Sequence, residues 1–473
     1  MLNHLLIILV LTLSLAFGIW RKPWRREFFL AGRKAGAPQV AGSILATCLG
    51  GSAVFGLVGT ASQIGWSAFW WLGAGSFGVF LLGLAWASAM RRRPEQITLP
   101  QWLGGEYGRP ARVLAALLIA IMWCGVIAAQ WVAAGALLGS LAGWPLAYGI
   151  VAVSGVTVLY TAIGGQASVL RTDLLQAAAT IGALLLVLVF LLFKAEGADL
   201  IASLPHLTGH SEVPAGFSLS FYEWLSLMVV IGGMYLVGPD LYSRVATADS
   251  VTSARRGAFA AALGLLLCGV LVTYLGVFAG NVGGESVIAR EALVRLIGEW
   301  LPSSLAILVQ AALLTALISS ADTCLLTAGS VLQLDLVKSG SNSGQEATIL
   351  TRLWIVAVGG LSTAVAIVSP RIIGNIMLAY AFYAGGLLVP LLLLRFPVSG
   401  RLSRPWIWLA MGLGGLLPLA CLLFDWFPAE DFMLRQAKAG MSGVVLSSVI
   451  CLIGAAAAGR PPPAPEQGDA CVH

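Results

Sequence analysis

The stretch Ala316–Ala328 reads ALISSADTCLLTA and lies inside an apolar run from Leu305 to Leu336. Ser319, Ser320 and Asp322 therefore fall where a bilayer would put hydrocarbon. An aspartate at the bilayer centre costs at least ~2.5 kcal/mol, so it marks protein interior or a water-filled cavity, not lipid. Serines alone carry little weight, because a serine can bond the i−4 carbonyl of its own helix. Three polar groups within one helical turn, followed by Thr323, point to a lined cavity. On a helix, Ala316, Ser319 and Ser320 share one face. That face offers one carbonyl and two hydroxyl oxygens.

The bilayer itself is read from composition. The chain has 473 residues, of which 59% are hydrophobic and 10% charged, and its mean hydropathy is +0.91. That describes an all-α polytopic membrane protein and leaves no room for a soluble domain. About 20 apolar residues span a bilayer as helix. Thirteen transmembrane segments are expected, near 3–20, 38–63, 66–90, 112–139, 143–163, 173–194, 221–242, 257–280, 302–333, 350–369, 371–394, 406–424 and 440–459. The leader MLNH has no Lys or Arg and no A-x-A site follows, so the first segment reads as an uncleaved helix. The tail from Arg460, RPPPAPEQGDACVH, is Pro-rich and reads as disordered.

Basic residues set the orientation. With the N-terminus outside, the cytoplasmic connections collect all but Lys194, Arg290, Arg295, Arg371, Arg435 and Lys438 of the 27 Lys and Arg. The expectation is a multi-pass protein of the cell inner (cytoplasmic) membrane, N-terminus outside and C-terminus cytoplasmic. The net charge of +6 then reports topology and gives no reason to expect nucleic acid. No obligatory protein partner is indicated. Cys48, Cys124, Cys268, Cys324, Cys421 and Cys451 fall in apolar spans without metal or disulfide spacing, and read as small packing residues.

Six regions follow: 1–27, an N-terminal extra helix and cytoplasmic link; 28–194, a first block of five helices; 195–220, an outer loop; 221–395, a second five-helix block; 396–459, two C-terminal helices; 460–473, the tail. An odd number of spans per block inserts the second block upside down. Inverted five-helix repeats are a transporter architecture with the binding site at the repeat interface. The first helix of each block should then be interrupted. SILATCLGGSAVFGLVG puts Gly50-Gly51 mid-membrane, and VVIGGMYLVGPD puts Gly232-Gly233 mid-span with Gly238-Pro239 near its end. Unwound backbone is tolerated there only where protein or water covers it. Close packing through small residues is the competing role for paired glycines.

An unwound segment facing Ser319 and Ser320 supplies freed carbonyls, and Ala46 and Leu49 are suitably spaced for it. A hard monovalent ion wants about five or six oxygens, by analogy with hard divalent cations. Ala46, Leu49, Ala316, Ser319 and Ser320 provide five, with no formal charge. Asp173, in RTDLLQ, combines with Gln176 into a helix-capping pair and can also draw a cation inward. Asp240, in GPDLYSR, sits at a cytoplasmic helix end where Arg244 can pair with it. Gln130 is the one strongly polar residue of its span and should face the interior. Trp70, Trp71, Tyr380 and Tyr383 can line a pocket or simply pack.

YTAIGGQASVLRTDLLQ (160–176) resembles the Y-T-x-x-G-G-x-x-A-V-x-x-T-D-x-x-Q stretch of the sodium:solute symporter family. That family includes sodium-coupled sugar, proline, pantothenate, sialic acid and choline carriers. ALISSADTCLLTAGSVLQLDLV resembles its S-S-A-D-S-x-L-L…D segment. FFLAGRKAGAPQVAGSILAT resembles its A-G-R lead-in, and PDLYSRVATADSVTSARR its D-x-x-x-R…A-x-D-x-x-x-A-R loop. The matches are ordered and cover about 28–395. The resemblance implies a LeuT-type 5+5 inverted-repeat core with a discontinuous first helix in each repeat. It implies Na+ on the carbonyls of Ala46, Leu49 and Ala316 and the hydroxyls of Ser319 and Ser320. Some members hold a second cation at positions that are Asp173, Asp322 and Thr323 here, and a carboxylate at 322 allows a proton instead.

The solute positions implied are Cys48, Gly50, Ala53, Trp71, Gln130, Tyr235 and Tyr383. The sugar carriers have Asn and Gln where Cys48 and Ala53 stand, and an acid where Leu72 stands, so a sugar would leave buried polar groups unpaired. An aromatic pocket could hold a cation, and a half-helix end could hold a carboxylate. The expected function is sodium-coupled symport of a small organic solute by alternating access. Proton coupling through Asp322 or Asp173 is the first alternative and a membrane solute sensor the second. No nucleophile–base pair or His cluster suggests an enzyme.

Overall fold

With no water to satisfy backbone N–H and C=O groups inside a bilayer, helix is the structure these apolar segments must take. The computed structural model describes residues 33–91, 98–204, 219–283, 288–337, 344–395, 402–427 and 432–457. Helix accounts for its regular structure apart from one isolated β-bridge, Ala35 to Ala248, among the described residues. Eleven helical stretches there are long and apolar enough to cross a membrane. The predicted first helix, 3–20, lies outside the described residues.

One of the eleven stretches, Ala53–Met90, spans 38 residues, about 57 Å of helix, far more than the ~30 Å hydrocarbon layer. The chain reverses within it. Helices α1 (Ala37–Cys48) and α2 (Gly51–Ile64) are followed by a 3-10 turn, Gly65–Phe69, and α3 (Trp70–Leu81). Val40, Leu45, Ala61 and Ser62 meet Gly257, Gly264, Gly276 and Gly280 in that order, whereas Leu72 and then Gly83 meet Gly269 and then Ala258 and Phe259. The two arms run in opposite senses along the same partner helix. Gly65 makes the corner at φ +63°, a backbone angle that favours glycine.

Two interruptions position the interior. Helix α1 ends at Cys48 and α2 begins at Gly51. The second lies between α4 (Gly233–Val237) and α5 (Pro239–Ala246), at Gly238, whose ψ of 140° leaves the helical range. Gly232-Gly233, expected to be unwound, is not. Gly232 closes a π-helical turn, Met228–Gly232, and Gly233 opens α4. A Cβ on Gly232 would sit 3.1 Å from the Ala74 carbonyl oxygen and one on Gly233 2.6 Å from Leu388 Cδ2, so close packing accounts for glycine here.

The helix α6 (Ser303–Leu336) carries the serines, and its side chains from Leu313 to Gly329 are nearly all buried. It packs on α7 (Arg109–Ala142) and α8 (Leu146–Lys194) and touches α1 and α2. The 49 residues of α8 contain two crossing-length stretches, Leu146–Ile163 and Leu174–Lys194. Helical backbone continues between them, so Asp173 starts no helix. Gln176 donates from Nε2 to the Thr315 carbonyl of α6 at 3.4 Å.

One end of α6 is anchored by charge. Arg112 Nε and Thr98 Oγ1 each donate to the Asp335 carboxylate at 2.7 Å. The Asp335 side chain is fully buried and Arg112 is 34% exposed. Arg112→Ala leaves a buried carboxylate short of a charged donor. We expect a loss of about 2 kcal/mol, reduced from the fully buried case because solvent screens the arginine. Thermal unfolding of the purified protein checks this; an unchanged midpoint contradicts it.

Candidate cation and solute site

Pro38 near the start of α1 and the Gln39 side chain, which accepts from Gly36 N at 3.0 Å, fix how the chain enters this helix. The last turn of any helix leaves carbonyls without an intrahelical donor. Leu45 keeps its bond, from Leu49 N at 2.7 Å. The Ala46 carbonyl accepts instead from Ser320 Oγ, across on α6, at 3.2 Å. This contact brings the interrupted helix and the serine helix together at two of the five residues singled out for the cation. Ala46, Leu49, Ala316, Ser319 and Ser320 are all buried, each at 5% exposure or less. Gly50 permits the approach: a Cβ there would lie 2.4 Å from Ser320 Oγ and 2.9 Å from Gln130 Nε2.

Beside the break is a cavity of about 30 Å³, lined by Cys48, Gly50, Ala53, Trp71, Gln130 and Tyr235 from the expected solute residues. Room for about two waters fits that volume. Trp71 stacks on Tyr380 at 6.0 Å, and Tyr235 meets Tyr380 edge-on at 6.4 Å. Trp70 turns away and packs edge-on against Trp224.

Tyr383 is the exception among the solute residues. It does not line this cavity. Its hydroxyl donates to the Val237 carbonyl at 2.6 Å, fully buried, beside the break at Gly238. Tyr383 thus satisfies an oxygen released by the second interruption. Tyr383→Phe is expected to lower stability by about 1 kcal/mol while solute affinity stays within twofold. A thermal midpoint unchanged alongside a large affinity loss would reverse this assignment.

Asp240 has Arg244 acting on it, as expected, and a second place that the sequence did not indicate. The break at Gly238 swings the start of α5 inward, and Asp240 lines the cavity wall at 7% exposure. Arg244, one turn later, is fully buried, and its guanidinium donates to Thr323 Oγ1 on α6. Thr323 in turn donates to Asp322 Oδ1 at 3.4 Å. A fixed cation therefore already stands at two of the three residues singled out for a second cation or proton. The side chain of the third, Asp173, lies outside the described residues. Local spacing suggested Asp240 for Arg244; nothing local could indicate Thr323, 79 residues away.

Residues 28–397 match the sequence model of the sodium:solute symporter family. The sodium/proline symporter of Salmonella typhimurium is 26% identical over 449 residues, covering 90% of this chain and 88% of that protein. The high-affinity proline transporter PutP of Bacillus subtilis is 28% identical over 353 residues, 70% of this chain and 73% of that protein. The solved structure of a Na+-coupled sialic acid symporter, outward-open with substrate bound, superposes with a TM-score of 0.77 at 16% identity, covering 96% of this chain and 98% of that one. The chain belongs to the sodium:solute symporter family. It is a multi-pass membrane protein and a sodium-coupled symporter, not an enzyme.

Proposed function

We propose that this protein imports a small organic solute across the inner membrane, with Na+ held by the carbonyls of Ala46, Leu49 and Ala316 and the hydroxyls of Ser319 and Ser320. The observation that carries this is the 3.2 Å contact from Ser320 Oγ to the Ala46 carbonyl, made across a helix interruption. Two alcohols and freed main-chain oxygens replace the hydration shell of a hard ion without adding charge. Weak, reversible binding suits release into a cytoplasm low in sodium. In this reading the chain has thirteen spans, N-terminus outside and C-terminus inside, with two inverted five-helix repeats over 28–194 and 221–395. The interruptions at Leu49-Gly50 and Gly238 support it, since each lies in the first helix of a repeat.

Sodium joining α1 to α6 stabilises the outward-open state. Solute then binds beside the break, and the cavity closes around both. Coupling means that each ligand raises the other's affinity by the same factor. Arg244 at Thr323 supports one sodium per cycle, because a guanidinium supplies the positive charge a second ion would bring.

Purified protein in liposomes, given an inward sodium gradient, is expected to accumulate L-proline or another small solute. Replacing sodium by potassium at fixed pH abolishes that accumulation. Uptake that persists in potassium and follows a proton gradient would contradict the sodium site.

A further inference from the structure

We infer that Asp240 recognises a cationic nitrogen on the transported solute, an assignment that rests on the symporter reading above. Asp240 stands in the first turn of α5, just past the break at Gly238, and its carboxylate forms part of the cavity wall with Cys48, Trp71, Tyr235 and Tyr380. Oδ1 is buried and has no hydrogen-bond partner among the described residues. The backbone N–H groups of Asp240 and Leu241 and the charge of Arg244 act on the carboxylate. A carboxylate oxygen withdrawn from water without a donor is costly. An acidic residue in a first turn favours its helix through the dipole. That role accounts for the backbone N–H groups at the carboxylate and leaves Oδ1, which lies on the side of Gly238, without a hydrogen-bond partner among the described residues.

The nearest fixed cation is Arg244, whose charge acts on Asp240 while its guanidinium also donates to Thr323 on α6. No Lys, Arg or His lines the cavity. The other lining residues include four aromatics, Trp71, Trp123, Tyr235 and Tyr380, together with the polar Thr47 and Gln130, and Tyr380 meets both Trp71 and Tyr235. Aromatic faces attract cations and do little for anions. One carboxylate amid four aromatic side chains thus selects a positive nitrogen, whether the ammonium of an amino acid or a quaternary amine. A hydroxyl can donate to Oδ1 but brings no charge to offset the carboxylate, and a solute bearing only a carboxylate is repelled by it.

The test uses full-length protein in detergent and follows thermal unfolding in sodium and in potassium. The probes are the twenty amino acids, choline, pantothenate and D-galactose. The expected result is sodium-dependent stabilisation by one or more amino acids or by choline, and none by pantothenate or galactose. Asp240→Asn is expected to weaken the stabilising probe at least tenfold, while the sodium concentration for half-stabilisation without solute stays within twofold. Asp240→Glu retains the charge and should recover part of the affinity. Stabilisation by pantothenate or galactose overturns the assignment, as does a panel in which no nitrogen cation binds wild-type protein. Wild-type affinity in Asp240→Asn overturns it too, and a displaced sodium response in that variant would make Asp240 a cation ligand instead. Absence of any sodium response in wild-type protein is a different failure, that of the symporter reading itself.

Discussion

Ser319→Ala combined with Ser320→Ala is expected to abolish sodium-dependent stabilisation and leave a folded protein. Both side chains are buried on one face of α6, and Ser320 reaches the Ala46 carbonyl at 3.2 Å. The double change removes two of the five oxygens proposed for the ion. Hydrogen bonds and contacts to charged groups are worth about 1.5–3 kcal/mol each, so the pair should weaken sodium by about 100-fold or more. Folding loses far less, because one neutral bond contributes about 1 kcal/mol and alanine nearly fills the space of serine. A sodium titration followed by thermal unfolding reads both quantities at once. Sodium stabilisation at wild-type concentrations in the double variant removes the site from this face.

Gly50→Ala should be nearly as damaging to transport, by a steric route. The added methyl would sit 2.4 Å from Ser320 Oγ and 2.8 Å from Ser320 Cβ, with Gln130 Nε2 at 2.9 Å. Ser320 Cβ is fixed to the α6 backbone and cannot step aside by rotating. The two helices must separate, or α1 must shift along its break. Overpacking of this kind costs about 1–3 kcal/mol, and the displacement falls on the oxygens that would grip sodium. We expect at least a tenfold loss of sodium-driven uptake in liposomes with a modest fall in thermal midpoint. Uptake equal to wild type would mean that the close approach of Gly50 to Ser320 has no part in the cycle.

The first interruption was legible because two glycines sit in an apolar span just after carbonyls that face two serines. The same pattern misled at Gly232-Gly233. Glycine also lets helices touch, and only the placement of Gly232 against the Ala74 carbonyl and of Gly233 against Leu388 decides between the roles. The working break, Gly238-Pro239, lay in the sequence as a helix end. Spacing within one helix offers Asp240 the charge of Arg244, which does act on it; what spacing could not indicate is that Arg244 also donates to Thr323 on α6. Tyr380 and Tyr383 were indistinguishable as pocket residues, since three residues of helix rotation acquire meaning only once the neighbours are fixed. At Asp173 the T-D-x-x-Q pattern imitates a helix start, and the helical backbone of α8 runs through it. Charged anchors such as Asp335 with Arg112 and Thr98 join segments over 200 residues apart, beyond the reach of any local pattern.

A density map of the sodium-loaded protein, at a resolution that distinguishes ions from water, addresses the ion site without intermediates. We expect one sodium feature within bonding distance of the Ala46, Leu49 and Ala316 carbonyls and the Ser319 and Ser320 hydroxyls, lost when potassium replaces sodium. Sodium found elsewhere, with those five oxygens bonded only to protein or water, would contradict the account.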